Sequence, residues 1–234
     1  MRRSWYKSTA TWFWVLFAVA VVLRLFRLGS WDMWTDEMNT LSMSASGEWV
    51  SGPMYRTAPL NFLFTRAAVG LLGPTEWGAR LVPALTGTLT VILIYPAFRN
   101  RIGKRAALFA MCVMALSVWH LFWSQTARHF ALQTLLILGA LSGFLRYWAG
   151  GRVGHLAASA VSVLAAMFTH SSAGFYLAAL LAFIMCSWAV TLAREGWSGW
   201  TERDRRHVVA LSAYVASFLV YLPVYVTVGL YTLE

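Results

Sequence analysis

The sequence predicts an all-α fold: a polytopic transmembrane helical bundle of about seven spans, with an interfacial helix in its first outer loop. Three observations carry this reading. Of the 234 residues, 59% are hydrophobic and only 12% charged, where a soluble domain has about a quarter charged. The apolar residues gather into runs close to the ~20 residues that a helix needs to cross the hydrocarbon core. These runs do not alternate and are too long for barrel strands, which leaves helices.

The first run, Thr9–Leu28, follows the basic start "MRRSWYK". It is longer than the apolar part of a secretory signal and no small-residue cleavage site follows, so it reads as a retained signal anchor. Further spans are expected at Leu81–Phe98, Ala106–Trp123, Phe130–Trp148, Leu156–Phe168, Gly174–Ala193 and Val208–Leu230. "NFLFTRAAVGLLG", Asn61–Gly73, is short and carries Arg66 at its middle, which suits a helix lying flat at the interface. Pro59 just before it fits the preference for proline in a first helical turn, and could also press the loop against the acid pair described below.

Charge decides the topology. With Asn61–Gly73 flat, the N-terminus and residues 99–105, 146–152 and 194–206 share one side and hold three, four, two and four of the 19 Lys and Arg. Were it to cross, the last three groups would change sides, against the positive-inside rule. The expectation is a multi-pass protein of the plasma (inner) membrane with a cytoplasmic N-terminus. Residues 1–234 then form one transmembrane module, with 29–80 as the first extracytoplasmic loop. That loop holds Asp32, Asp36, Glu37, Glu48 and Glu76, five of the nine carboxylates. Because the +10 formal charge lies in short loops between spans, no nucleic-acid partner is expected. Cys112 and Cys186 fall inside spans and read as small buried apolar side chains.

Three outer segments offer chemistry. In "WDMWTDEMNT", Asp36 could take a proton from an attacking hydroxyl, while Glu37, which faces elsewhere on a helix, would pair with a cation or shape the loop. Asp36 could instead cap a short helix beginning near Glu37. In "SQTARHFA", Arg128 and His129 offer positive charge and donors where a lipid-linked phosphate would sit. Arg24, near the outer end of the first helix, could join them or simply snorkel to the interface. In "THSS", His170 could contact a phosphate, bind a metal or hydrogen-bond within the bundle. No zinc spacing, CxxC pair or glycine-rich phosphate loop occurs in the sequence. No metal ligand is assigned, and the need for a divalent metal ion stays open.

At these residues the chain resembles the polytopic GT-C glycosyltransferases, of the dolichyl-phosphate-mannose protein mannosyltransferase type that includes bacterial aminoarabinose transferases. "RLFRLGSWDMWTDEMNTL" is similar to the family's first helix end and W-x-D-E motif, and "TAPLNFLF" to its H-P-P-L juxtamembrane helix. "EWGARLVPALTGTLTVILIY" resembles its second span, "SQTARHFAL" its S-Q-E-A-R-x-Y-A-L segment, and "FTHSSAGFYLAALLAF" the start of its Y-T-H-Y span.

The resemblance implies inverting sugar transfer from a polyprenyl-phosphate-linked donor to a glycan, lipid or protein acceptor on the extracytoplasmic side. Asp36 and Glu37 would form the catalytic pair, with Arg128, His129, His170, Arg24 and Pro59 around the substrate. Thr57 and Thr126 depart from the family's histidine and acidic residue, so the roles of those two residues do not transfer. Family members usually continue with further spans, which makes an amino-terminal module or fragment the expectation. Two alternatives remain at this stage: a non-catalytic transporter or assembly module, and a lipid-linked glycan ligase or polymerase.

Overall fold

A computed structural model describes residues 2–46, 59–195 and 199–231. Glu48, Trp49, Arg56 and Thr57 lie outside these described residues. Among the described residues the chain forms α1 (Arg2–Leu25), α2 (Thr35–Ser46), α3 (Pro59–Leu72), α4 (Glu76–Ile102), α5 (Lys104–Leu116), α6 (Val118–Ser124), α7 (Phe130–Trp148), α8 (Val153–Thr169), α9 (Ala173–Glu195) and α10 (Glu202–Tyr231). No strand occurs among them, and the protein is an all-α polytopic bundle.

By length and apolar composition, α4, α7, α9 and α10 can cross a membrane, and the bent pair α5–α6 is either a fifth, broken span or a re-entrant loop. Thr9–Leu25 of α1 and Val153–Thr169 of α8 are apolar but shorter. The expected total of about seven requires both of these to cross.

Two of the differences from the expected boundaries have a clear local reason. The segment expected as one span over Ala106–Trp123 is broken into α5 and α6, which meet at 60°. Ser117 is extended there, at φ −60 and ψ 114, and its hydroxyl accepts the His120 N–H. A serine that bonds the backbone in this way competes with a continuous helix. The second expected span starts at Glu76 instead of Leu81, because Thr75 caps it, accepting the Gly78 N–H at 3.2 Å.

Two cores hold the bundle. One joins α1, α4 and α5 through Ala20, Val91, Ile94, Ala107 and Met111. The other joins α7, α8, α9 and α10 through Phe144, Val163, Leu177, Ile184 and Tyr214. Small residues let α7 and α8 touch: a Cβ on Gly143 would meet the His155 carbonyl oxygen at 2.7 Å. Beside that crossing the Ser159 hydroxyl donates to the Ala140 carbonyl at 2.6 Å and meets Tyr214 Oη at 2.7 Å. Small side chains with polar links are how helices adhere where lipid supplies no hydrophobic drive. Cys112 is half-buried and Cys186 is exposed, so Cys186 lies on an outer face of α9, not in the core as expected.

The antiparallel course of the helices separates two ends. The C-terminal end of α1, the N-terminal ends of α2 and α4, the α6–α7 junction and the α8–α9 junction share one. The basic α7–α8 junction and the N-terminal end of α10 share the other, tied by Arg206 donating to the Tyr147 carbonyl at 3.1 Å.

Candidate functional site

The acid pair opens α2, where the Trp34 carbonyl accepts the N–H groups of Glu37 and Met38 at 2.9 and 3.1 Å. Because α2 begins at Thr35, Asp36 sits inside the first turn instead of capping a helix that starts at Glu37. Consecutive residues on a helix point apart. Glu37 accordingly turns into the protein, 2% exposed, and Asp36 turns out, its side chain 44% exposed.

Glu37 is gripped by Arg80 of α4, whose Nε and Nη2 reach its two carboxylate oxygens at 2.8 and 2.9 Å. The remaining Arg80 donors reach the carbonyls of Leu28, Trp31 and Asp32 at 3.0, 3.0 and 3.3 Å. All five guanidinium N–H groups are thus used. Glu37 Oε1 also accepts the Ala127 N–H at 2.7 Å. One buried pair therefore pins four segments together: the loop after α1, the start of α2, the start of α4 and the α6–α7 junction.

The α6–α7 junction is fixed a second time by Gln125, whose Nε2 donates to the carbonyls of Leu23 and Phe26 at 2.8 and 3.0 Å. That anchoring aims Arg128 at Asp36, with Nη2 to Oδ2 at 3.3 Å, and lays its guanidinium 6.0 Å from the Trp34 ring. The buried Glu37–Arg80 pair, and not Asp36 or Arg128, lines a neighbouring cavity of about 380 Å³, walled also by Trp31, Asp32, Trp34, Phe122, Gln125 and Thr126.

His129 and His170 meet as parallel rings, with centroids 4.0 Å apart and planes 1° from each other. The Ser172 N–H donates to His170 Nδ1 at 3.2 Å, and Gln133 holds the turn by donating to the His170 carbonyl at 3.1 Å. Burial pushes the His129 imidazole down to about 3, and the nearby His170 and Arg128 add to the shift. Burial and then Arg128 also lower His170. Both rings are neutral near pH 7, which corrects the expectation that His129 supplies positive charge: the cation here is Arg128. Arg128 Nε and His129 Nε2 are buried and make no hydrogen bond among the described residues.

Arg24 departs from expectation too. It is fully buried, not snorkelling, and contacts neither Asp36 nor Arg128. It instead donates to the carbonyls of Ala20, Ala115 and Met114 at 3.3, 3.4 and 3.2 Å, and its Nη2 meets His120 Nδ1 at 2.8 Å. Two of those carbonyls belong to the last turn of α5, freed by the break at Ser117. Pro59 is the first residue of α3, which is tied to α2 by Arg66 donating to the Ser44 and Ala45 carbonyls at 3.1 and 3.3 Å.

The structure brings Asp36, Arg128, His129 and His170 together, puts Glu37 beneath them and leaves Arg24 to the helix break. Sequence reading missed Arg80 as the partner of Glu37, and Gln125 and Gln133 as anchors. A hint for Arg80 existed: a cation near a helix N-terminus opposes the helix dipole, and the adjoining loop was rich in acid. No group of three or more His, Cys, Asp or Glu that could hold a metal ion occurs among the described residues.

The sequence model of the family described as Dolichyl-phosphate-mannose-protein mannosyltransferase matches residues 56–226. The match takes in Pro59, Arg128, His129 and His170 and begins beyond Arg24, Asp36 and Glu37. No curated protein and no solved structure matches.

Proposed function

The chain belongs to the dolichyl-phosphate-mannose-protein mannosyltransferase family of membrane glycosyltransferases, and from that premise we propose that it transfers a sugar from a polyprenyl-phosphate donor to an acceptor hydroxyl, inverting the anomeric carbon. Asp36 takes the proton of the acceptor hydroxyl as its oxygen attacks that carbon. The bond from the carbon to the phosphate oxygen breaks, and the leaving polyprenyl phosphate carries off the electron pair. Arg128 meets the charge that grows on that phosphate. His129 and His170, as neutral rings, orient donor and acceptor without adding charge. Glu37 acts one step removed, as a positioning residue, through Arg80 and Ala127.

The observation that supports this most is the Asp36–Arg128 pair at 3.3 Å with both side chains partly exposed. An exposed pair contributes ~0–1 kcal/mol, so exchanging the Asp36 carboxylate for a donor phosphate costs Arg128 little. The Nη groups of the Arg128 fork supply the donors for a bidentate contact. Orientation follows from charge. The end opposite the site carries Arg99, Arg101, Lys104, Arg105, Arg146 and Arg152, and the positive-inside rule assigns it to the cytoplasm of a plasma-membrane protein. Transfer then takes place on the extracytoplasmic face, with the lipid tail of the donor among the helices.

Membranes holding the Asp36→Asn variant, supplied with a polyprenyl-phosphate sugar, test the reading. Transfer should fall by at least ~100-fold, the usual contribution of a positioned base. Undiminished transfer would remove Asp36 from catalysis.

A further inference from the structure

The loop after α1 forms a fixed wall. Arg27 has a left-handed backbone, φ 54, and its carbonyl accepts the Ser30 N–H and hydroxyl at 3.0 and 2.8 Å. Arg80 then holds the carbonyls of Trp31 and Asp32. The backbone is thereby set where these two side chains line the cavity of about 380 Å³, beside the buried Glu37–Arg80 pair.

Three half-exposed aromatic side chains, Trp31, Trp34 and Phe122, line that space. The polar groups next to them offer acceptors. Asp32 is exposed, and its carboxylate has no ion pair among the described residues. Gln125 commits its Nε2 to the carbonyls of Leu23 and Phe26, which leaves Oε1. Thr126 gives its hydroxyl proton to the Phe122 carbonyl at 2.7 Å, which leaves the oxygen lone pairs. Arg80 has every N–H engaged, so the cavity is no anion site in spite of its guanidinium.

A sugar ring is the complement of this lining. Its C–H face packs on an aromatic ring, while the hydroxyls at its rim donate to carboxylate, amide and hydroxyl oxygens. The volume stands at the lower end of the ~300–1,000 Å³ usual for ligand pockets, as suits a small unit of a glycan. An acyl chain is disfavoured, since it would cover a carboxylate and an ion pair without bonding either. An extended peptide gains affinity by adding to a sheet edge, and no strand occurs among the described residues.

The cavity is also joined to the catalytic pair. Its wall residue Trp34 has the Arg128 guanidinium 6.0 Å from its ring, and Arg128 meets Asp36. The next residue, His129, stacks on His170, which borders a separate cavity of about 650 Å³ with Phe175, Phe218 and Leu222. Arg128 and His129 thus connect two cavities of unlike chemistry. Inversion needs the attacking hydroxyl and the leaving phosphate on opposite faces of the anomeric carbon. The larger, more apolar space suits an isoprenoid chain, which leaves the smaller for the acceptor.

We propose, resting on the sugar-transfer reading above, that the acceptor is a carbohydrate and that its sugar ring binds in the smaller cavity against Trp31 and Trp34. The test uses the purified full chain in a detergent without a sugar headgroup. Methyl glycosides of hexoses, pentoses and N-acetylhexosamines are added at millimolar concentration and binding is followed by saturation-transfer NMR. At least one should bind, Trp31→Ala should weaken it about tenfold, and Trp31→Phe, which keeps a ring, should restore part of the loss. The Trp31 side chain is exposed and its carbonyl stays for Arg80, so both variants fold. Binding by no glycoside, or binding indifferent to Trp31→Ala, overturns the site, and sugar transfer to a serine- or threonine-bearing peptide would then leave the transfer reading standing without it. In Asp36→Asn, which lacks the base, a polyprenyl-phosphate sugar should leave glycoside binding intact. Displacement would assign the cavity to the donor's own sugar and overturn the acceptor role. Binding that depends on Trp31 in a parent protein that transfers no sugar upholds the carbohydrate site and removes the transfer reading.

Discussion

The Arg80 guanidinium forks onto the Glu37 carboxylate, Nε to Oε1 at 2.8 Å and Nη2 to Oε2 at 2.9 Å, with the two side chains 2% and 3% exposed. Removing one partner leaves the other charged and buried, which costs ~3–5 kcal/mol, whereas replacing both by apolar residues is often close to neutral. Arg80→Leu and Glu37→Leu should each lower the melting temperature of the purified protein sharply. The double variant should be less impaired than the two losses combined. Simple additivity of the two losses would show that the pair is not the unit that joins the four segments.

Arg128 and Asp36 make the opposite kind of pair, partly exposed and joined by a single contact at 3.3 Å. Arg128→Lys keeps the charge and loses the fork. Stability should stay within about 1 kcal/mol, while transfer at low donor concentration falls about tenfold or more through the loss of a charge-assisted hydrogen bond. Kinetics in which Arg128→Lys matches the parent protein at every donor concentration would exclude a bidentate phosphate contact.

Arg24 poses a competition between two large effects. Burying a cation whose hydrogen-bond partners are carbonyls and an imidazole is costly, several kcal/mol after relaxation. Against that, each α5 carbonyl left without a donor in the bundle costs ~1–3 kcal/mol. The bonds at 3.2–3.4 Å to Met114 and Ala115 favour capping, because the break at Ser117 frees those carbonyls whatever residue stands at position 24. Arg24→Met should therefore lower the melting temperature and loosen the α5–α6 bend, seen as faster amide exchange at Leu116 and Ser117. A stabilised variant would mean that the buried charge outweighs the capping.

Apolar run lengths made the helices legible, since each run must satisfy its backbone within itself. The Ser117 break was not legible, because "MALSVWH" has helical hydrophobicity throughout and only a distant arginine makes the interruption tolerable. In the site, residue types revealed Asp36 and Arg128: charged groups beside apolar runs stand out. Their assignment to partners was hidden. Glu37 and Arg80 lie 43 positions apart and Gln125 reaches carbonyls 102 and 99 positions away, and no local periodicity encodes such pairings. The neutrality of His129 was hidden for the same reason, since it follows first from burial in the folded bundle and then from the nearby His170 and Arg128.

That stacked pair gives the molecule an acid-sensitive point. His129 is lowered to about 3 in the folded protein against ~6.5 in an unfolded chain. The folded state therefore binds fewer protons than the unfolded one over the interval between these values, and stability rises with pH there. The contribution is fully present above about pH 6.5 and is lost as pH falls, at up to about 1.4 kcal/mol for each unit. His170 acts in the same direction, because protonation at Nδ1 would end its acceptance of the Ser172 N–H. A melting temperature followed from about pH 7 to about pH 4.5 should fall, and fall less steeply in His129→Phe, which keeps a ring against His170 and removes the titrating group. Identical acid slopes for the two proteins would mean that the carboxylates, and not the imidazole stack, govern the acid limb.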